Sequence, residues 1–139
     1  MPMLNILVSG AANAALSAEI AGVLGDLTAS RLGKDPSVTA IAINYTPPEH
    51  WFSGGKSLSG QKKSAFWLDI KITDATNTKA EMAAYIASVF SAMERILGNL
   101  HEESYVLVHP VPASAYGYGG KTQEYRYVAG QTKPLQQAA

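Results

Sequence analysis

LGKDPSVTAIAINYTPPEHWFSGG, residues 32–55, and LGNLHEESYVLVHPVPASAYGYGG, residues 97–120, are two versions of one pattern. Each opens on Leu-Gly, passes through an apolar run and closes on Gly-Gly. Leu32-Gly33 and Leu97-Gly98 stand 65 residues apart, as do Gly54-Gly55 and Gly119-Gly120. Ile41 and Ile43 match Val106 and Val108 at the same offset. A glycine directly after an apolar helical run is a helix stop. The runs VTAIAINY, Val38 to Tyr45, and SYVLVHPV read as strands. The Gly-Gly pairs read as hairpin turns with positive φ.

The same doubling holds upstream. Leu4, Ile6 and Val8 alternate as in a strand, and Leu16, Ile20, Val23, Leu24 and Leu27 follow at helical spacing. In the second half Phe66, Leu68, Ile70 and Ile72 alternate with Trp67, Asp69 and Lys71. Thr78 and Glu81 then form a capping box ahead of the stripe Met82, Tyr85, Ile86, Val89, Phe90, Met93, Ile96, Leu97. The first strands match at an offset of 64, so the loops gain one residue. The chain is therefore a duplicated β-α-β unit, about residues 2–60 and 61–120, in one domain spanning 1–139. A β-α-β crossover makes its two strands parallel. Two such units give an α/β (α+β) fold: a four-stranded mixed sheet with two helices on one face. The other face also carries bulky residues, so oligomerisation is the simplest cover. Beyond Gly120, QEYRYVAG is expected as a short edge strand and QTKPLQQAA as a loose tail.

Composition narrows the function. Net charge is zero, which gives no electrostatic case for nucleic acid or an anionic membrane. Charged residues are 16% of the chain against a typical quarter, as expected where monomer surface is covered by partners. There is no cysteine, hence no thiol chemistry. No apolar run reaches the ~18 residues of a membrane span, and no secretory pattern opens the chain. A cytoplasmic protein is expected. His50 and His109 are far apart and lack ligand-spaced acidic or cysteine neighbours, so no metal is expected. Gly117, Gly119 and Gly120 lack the spacing of a phosphate-binding loop.

The Met-Pro opening, MPMLNILVSG, together with the doubled β-α-β resembles the tautomerase superfamily. GKDPSVTAIAI, from Gly33, is similar to the helix-to-strand junction of the macrophage migration inhibitory factor group. EHWFSGG resembles the end of the 4-oxalocrotonate tautomerase monomer, and SYVLVHPVPASAYGYGG the matching part of the inhibitory-factor monomer. The resemblance covers about 120 residues. It implies a homotrimer, active sites at subunit boundaries, a small-molecule substrate and no cofactor.

It also implies a role for Pro2. With Met1 trimmed, Pro2 presents a secondary amine. A free α-amino group titrates near ~7.7–8.0, and an apolar pocket lowers that value. A neutral amine takes a proton from carbon beside a carbonyl and returns it elsewhere, which is tautomerisation. The bland reading is that proline merely starts a strand, where it has no ladder donor to lose. The two arginines that hold a dicarboxylate in 4-oxalocrotonate tautomerases fall on Ala12 and Ala40, which argues against a dicarboxylate held that way. The resemblance puts Lys34 and, from a neighbouring subunit, Tyr105 at the substrate. Trp51, Tyr116 and Tyr118 are expected as the aromatic wall, and Arg126, outside the repeat, as a cation within reach of a carboxylate. Lys34 otherwise reads as a helix-end cation, and Tyr105 as an interface residue. The expected reaction is keto–enol tautomerisation of a small 2-keto or enol acid. The alternatives are dehalogenation, hydration or decarboxylation of a small unsaturated acid on the same proline, with Lys56 and Glu124 as further charges, and a non-catalytic trimeric binding protein.

Overall fold

The computed structural model describes residues 2–138, with side chains through residue 131; whether Met1 is retained therefore falls outside the described residues. β1 (Met3–Ser9) leads through α1 (Ala14–Leu32) to β2 (Ala40–Thr46). A hairpin of β3 (Phe52–Ser53) and β4 (Lys56–Ser57) runs into the single turn α2 (Leu58–Gln61). The second half repeats the order with β5 (Phe66–Thr73), α3 (Lys79–Leu97) and β6 (Tyr105–Val111). A second hairpin, β7 (Gly117–Tyr118) and β8 (Lys121–Thr122), runs into α4 (Gln123–Ala138).

The sheet order is β2-β1-β5-β6. β1 and β2 are parallel, β5 and β6 are parallel, and β1 and β5 are antiparallel. This is the mixed four-stranded sheet that the duplication predicts. Leu4, Ile6 and Val8 of β1 and Phe66, Leu68, Ile70 and Ile72 of β5 are buried under the two long helices. Those helices supply Ile20 and Leu24, and Tyr85, Val89 and Met93. Each buried aliphatic or aromatic side chain contributes roughly 1.5–3 kcal/mol. One polar contact crosses this core. Thr28 Oγ1 donates to Leu24 O (2.7 Å), so its oxygen accepts from the Tyr85 hydroxyl (2.9 Å). Burial pushes the Tyr85 phenol up to about 12, against the opposing bond to Thr28.

Gly33 caps α1 in the left-handed region, and the Thr78–Glu81 capping box opens α3 as the sequence predicts. Val38, expected to start β2, closes a short 3-10 turn over Pro36–Val38 whose entry the Asp35 carboxylate caps. Gly54 and Gly55 have φ of 64° and 78°, and Gly119 and Gly120 of 62° and 78°. Paired positive φ in a two-residue loop suits a hairpin whose strands twist right-handedly.

The segment after Gly120 departs from expectation. QEYRYVAG is helical, not an edge strand, and the helix continues through QTKPLQQA in place of a loose tail. The period-two Tyr125-Arg126-Tyr127 suggested a strand, but the Thr122 hydroxyl accepts the Tyr125 N–H (3.0 Å) and caps a helix. The same event occurs after the first hairpin, where the Ser57 hydroxyl accepts the Gly60 N–H (3.0 Å). The internal repeat thus runs past the second Gly-Gly: Lys56-Ser57-Leu58 corresponds to Lys121-Thr122-Gln123.

The opposite sheet face is uncovered in the single chain. It carries Asn5, Leu7, Asn44, Trp67, Asp69, Tyr105 and His109, tied by local contacts. Trp67 Nε1 donates to Asp69 Oδ2 (2.8 Å), and His109 Nε2 meets Asp69 Oδ1 (2.7 Å). The Trp67 and Tyr105 rings lie 5.2 Å apart at an interplanar angle of 45°.

Candidate active site

Pro2 is buried at the foot of β1, and its carbonyl accepts the Ala40 N–H at the start of β2 (3.3 Å). Above it opens a cleft of about 430 Å³. One wall is Ser37, Val38, Thr39 and Ala40, from the turn into β2. The other is Tyr116, Gly117, Tyr118 and Gln123, from the second hairpin and the first residue of α4. The second half of the chain therefore lids the N-terminus of the first. Asp, Glu, Lys, Arg and His are absent from this lining among the described residues.

The hairpin is held close by Gly117. A Cβ there would stand 1.9 Å from Lys121 O, so only glycine permits the two short strands to pair. Tyr116 is fixed from below: its hydroxyl meets Thr73 Oγ1 at the end of β5 (2.6 Å). Burial raises the Tyr116 phenol above its ordinary value, against the opposing hydrogen bond to Thr73. It remains a neutral hydroxyl near neutral pH. Tyr118 lies under the Arg126 guanidinium, 3.8 Å from ring centroid to Cζ.

Of the side chains expected at the site, Pro2, Tyr116 and Tyr118 come together. The other four lie outside the cleft within one chain. Lys34 Nζ donates to Thr76 Oγ1 (2.8 Å), and burial lowers its pKa while the Glu81 charge opposes that. Arg126 Nη2 donates to Tyr118 O (2.9 Å), and its Nε is buried without a hydrogen-bond partner. Trp51 sits at the first hairpin, where its carbonyl accepts the Leu58 N–H. Tyr105 pairs with Trp67, which pairs in turn with Leu7, whereas Met3 next to Pro2 pairs with Lys71. Four residues of β5 separate those positions, roughly 13 Å along the strand.

Sequence reading missed Gln123, Ser37 and Thr39. Gln123 fell in a presumed edge strand, and Ser37 and Thr39 in a junction read only for Lys34. The link between His109 and Asp69 was also missed, because the residues lie on neighbouring strands and are 40 apart in sequence. No group of three or more His, Cys, Asp or Glu among the described residues is arranged to hold a metal. No helix of the described residues is long and apolar enough to cross a membrane.

A doubled β-α-β sheet with a cleft above Pro2 defines a structural class, and solved structures share it. A fused 4-OT solved as an asymmetric trimer superposes with a TM-score of 0.77 at 19% identity, covering 90% of this chain and 98% of that one. A protein inactivated by 2-oxo-3-pentynoate gives a TM-score of 0.77 at 14% identity, covering 89% and 98%. A macrophage migration inhibitory factor-like protein from Entamoeba histolytica gives 0.72 at 19% identity, covering 87% and 97%. The chain thus shares the fold of these fused 4-OT and inhibitory-factor-like structures, the fold that the resemblance implied. No protein-family description and no curated protein matches the sequence.

Proposed function

We propose that the chain is a cofactor-independent keto–enol tautomerase for a small 2-keto or enol acid, with Pro2 as the base and acid. The observation that carries this reading is the burial of Pro2 beneath an uncharged, largely apolar cleft. Trimming of Met1 would expose a secondary amine there. Low polarity disfavours its protonated form and supports a base near neutral pH. The amine takes a proton from the carbon beside the substrate carbonyl, and the electron pair moves to oxygen as an enolate. Return of the proton to the other position gives the isomer, with no net change in composition. Neutral donors in the cleft would share the charge that develops on oxygen.

The functional unit in this reading is a cytoplasmic homotrimer. The solved neighbours with trimeric assemblies support it, as does the uncovered sheet face. A neighbouring subunit is also the natural source of Tyr105, which one chain holds far from its own Pro2. Dehalogenation or decarboxylation on the same amine is favoured less, because those reactions call for cations and acids that the lining lacks within one chain.

Intact mass combined with one assay tests the proposal. The expected result is loss of Met1 and ketonisation of phenylenolpyruvate that Pro2→Ala abolishes. Retained Met1, or turnover that survives Pro2→Ala, would reject it.

A further inference from the structure

Gln123 is 8% exposed, lines the Pro2 cleft, and its carboxamide has no hydrogen-bond partner among the described residues. An amide carries two donors and an acceptor, and on the cleft lining these are available to a bound molecule. Packing does not explain the choice of residue. The duplicated half places Leu58 at the same position, fully buried, with the same backbone bond. Leu58 N–H donates to Trp51 O (2.8 Å), and Gln123 N–H donates to Tyr116 O (3.0 Å). A leucine therefore meets the structural need at the duplicate position, which is fully closed over. The amide appears only in the half that faces Pro2.

We infer that the Gln123 carboxamide is the hydrogen-bond partner of the substrate's reacting carbonyl or enol oxygen. This selects a substrate whose reacting end is an uncharged oxygen, with any carboxylate held at the open mouth of the cleft. The amide suits both tautomers, donating to a carbonyl and accepting from an enol hydroxyl. The lining supports the same division: it offers no cation to a carboxylate at depth within one chain, and an unpaired buried carboxylate is strongly disfavoured.

The inference rests on the tautomerase reading, and the test separates the two. Benzoylformate has no enolisable hydrogen, so it and its methyl ester report binding without turnover. Both are titrated against the full chain, Pro2→Ala, and Gln123→Leu in each background. Gln123→Leu is expected to weaken acid and ester alike, by about fivefold to tenfold, the effect of one neutral hydrogen bond. It is also expected to lower kcat/KM for phenylenolpyruvate and its methyl ester by at least that factor. Gln123→Met keeps the length without the amide and should behave the same. Because leucine occupies the duplicate position, Gln123→Leu should melt at or above the parent temperature. Unchanged binding in both variants overturns the inference. A loss confined to the free acids also overturns it, because Gln123 would then meet the carboxylate. Turnover that survives Pro2→Ala alongside weakened binding would reject the proline mechanism and leave the Gln123 contact standing.

Discussion

Arg126 and Gln61 are the same clamp in two halves of one chain. Gln61 Nε2 donates to Ser53 O (3.0 Å) and Lys56 O (2.9 Å), tying the first hairpin to the helix behind it. Arg126 Nη2 donates to Tyr118 O (2.9 Å), the position that corresponds to Ser53. The guanidinium adds a contact over the Tyr118 ring that glutamine lacks. Arg126 therefore holds a wall of the cleft through its backbone.

That relationship separates a clamp from a carboxylate anchor. Arg126→Gln restores the residue used in the first half, and is expected to cost less than about 1 kcal/mol and leave KM within about threefold of the parent. Arg126→Leu loses both the hydrogen bond and the ring contact, and is expected to cost about 1–2 kcal/mol in urea unfolding. A large rise in KM for Arg126→Gln without loss of stability would instead mark a direct contact with substrate.

The bond between Tyr116 and Thr73 makes a second prediction. Thr73 lies outside the cleft lining, so it can act there only by orienting Tyr116. Tyr116→Phe and Thr73→Val are each expected to lower kcat/KM by about threefold to tenfold. The double variant should be little worse than Tyr116→Phe alone, since both variants remove the Thr73–Tyr116 bond. Additive losses would show that the two residues act independently.

Tyr85 predicts an alkaline weakness. Its phenol is raised from 10.0 to about 12 in the fold, chiefly by burial. A group with a raised folded pKa stabilises fully below its unfolded value and loses that contribution as pH rises through the folded one. The loss should therefore begin near pH 10 and reach about 2–3 kcal/mol above pH 12. Tyr85→Phe should remove this slope while costing about 1 kcal/mol at pH 8, where Thr28 keeps its bond to Leu24 O but loses the one to Tyr85. Equal slopes between pH 9 and 11 for both proteins in urea titrations would contradict the assignment.

The fold was legible in the sequence because its strongest signals are local and doubled. Gly33 and Gly98, the Thr78–Glu81 box and the alternations in β1 and β5 each announce an element without reference to the rest of the chain. Part of the candidate cleft lining was legible for the same reason, since Pro2 and the Tyr116–Tyr118 hairpin are motif residues. What escaped depends on pairing across the chain. Gln123 gains meaning only when the second hairpin folds over Pro2, and its helix depends on a Thr122 cap hidden by the Tyr-Arg-Tyr alternation. From sequence Lys34 and Arg126 read as cations for the substrate, whereas in the fold Lys34 donates to Thr76 and Arg126 to the Tyr118 carbonyl. No one-dimensional pattern records that a neighbour will take a charge.

The uncovered sheet face carries the last prediction. Met3, Trp67 and Tyr105 are 42%, 40% and 47% exposed there, beside the linked Asp69 and His109. Burial opposes ionisation of Asp69, but hydrogen bonds from His109 and Trp67 and the charge of Lys71 hold its carboxyl below the ordinary value. The carboxylate is thus retained into mildly acidic conditions, and the contribution of this cluster should fade only as pH falls through that lowered value. Leu107 lies on the same face, next to Asp69 in the ladder. If three copies close over this face, sedimentation at neutral pH should give three times 14.7 kDa, about 44 kDa. Leu107→Glu buries a charge in that contact and should shift the protein towards monomer, and in the proposed reading, where a neighbour supplies Tyr105, activity should fall with the trimer. Asp69→Asn should dissociate more readily than the parent at pH 7 and lose the parent's acid dependence. A parent protein that sediments as a monomer at micromolar concentration while still turning over substrate would remove both the trimer and the borrowed tyrosine.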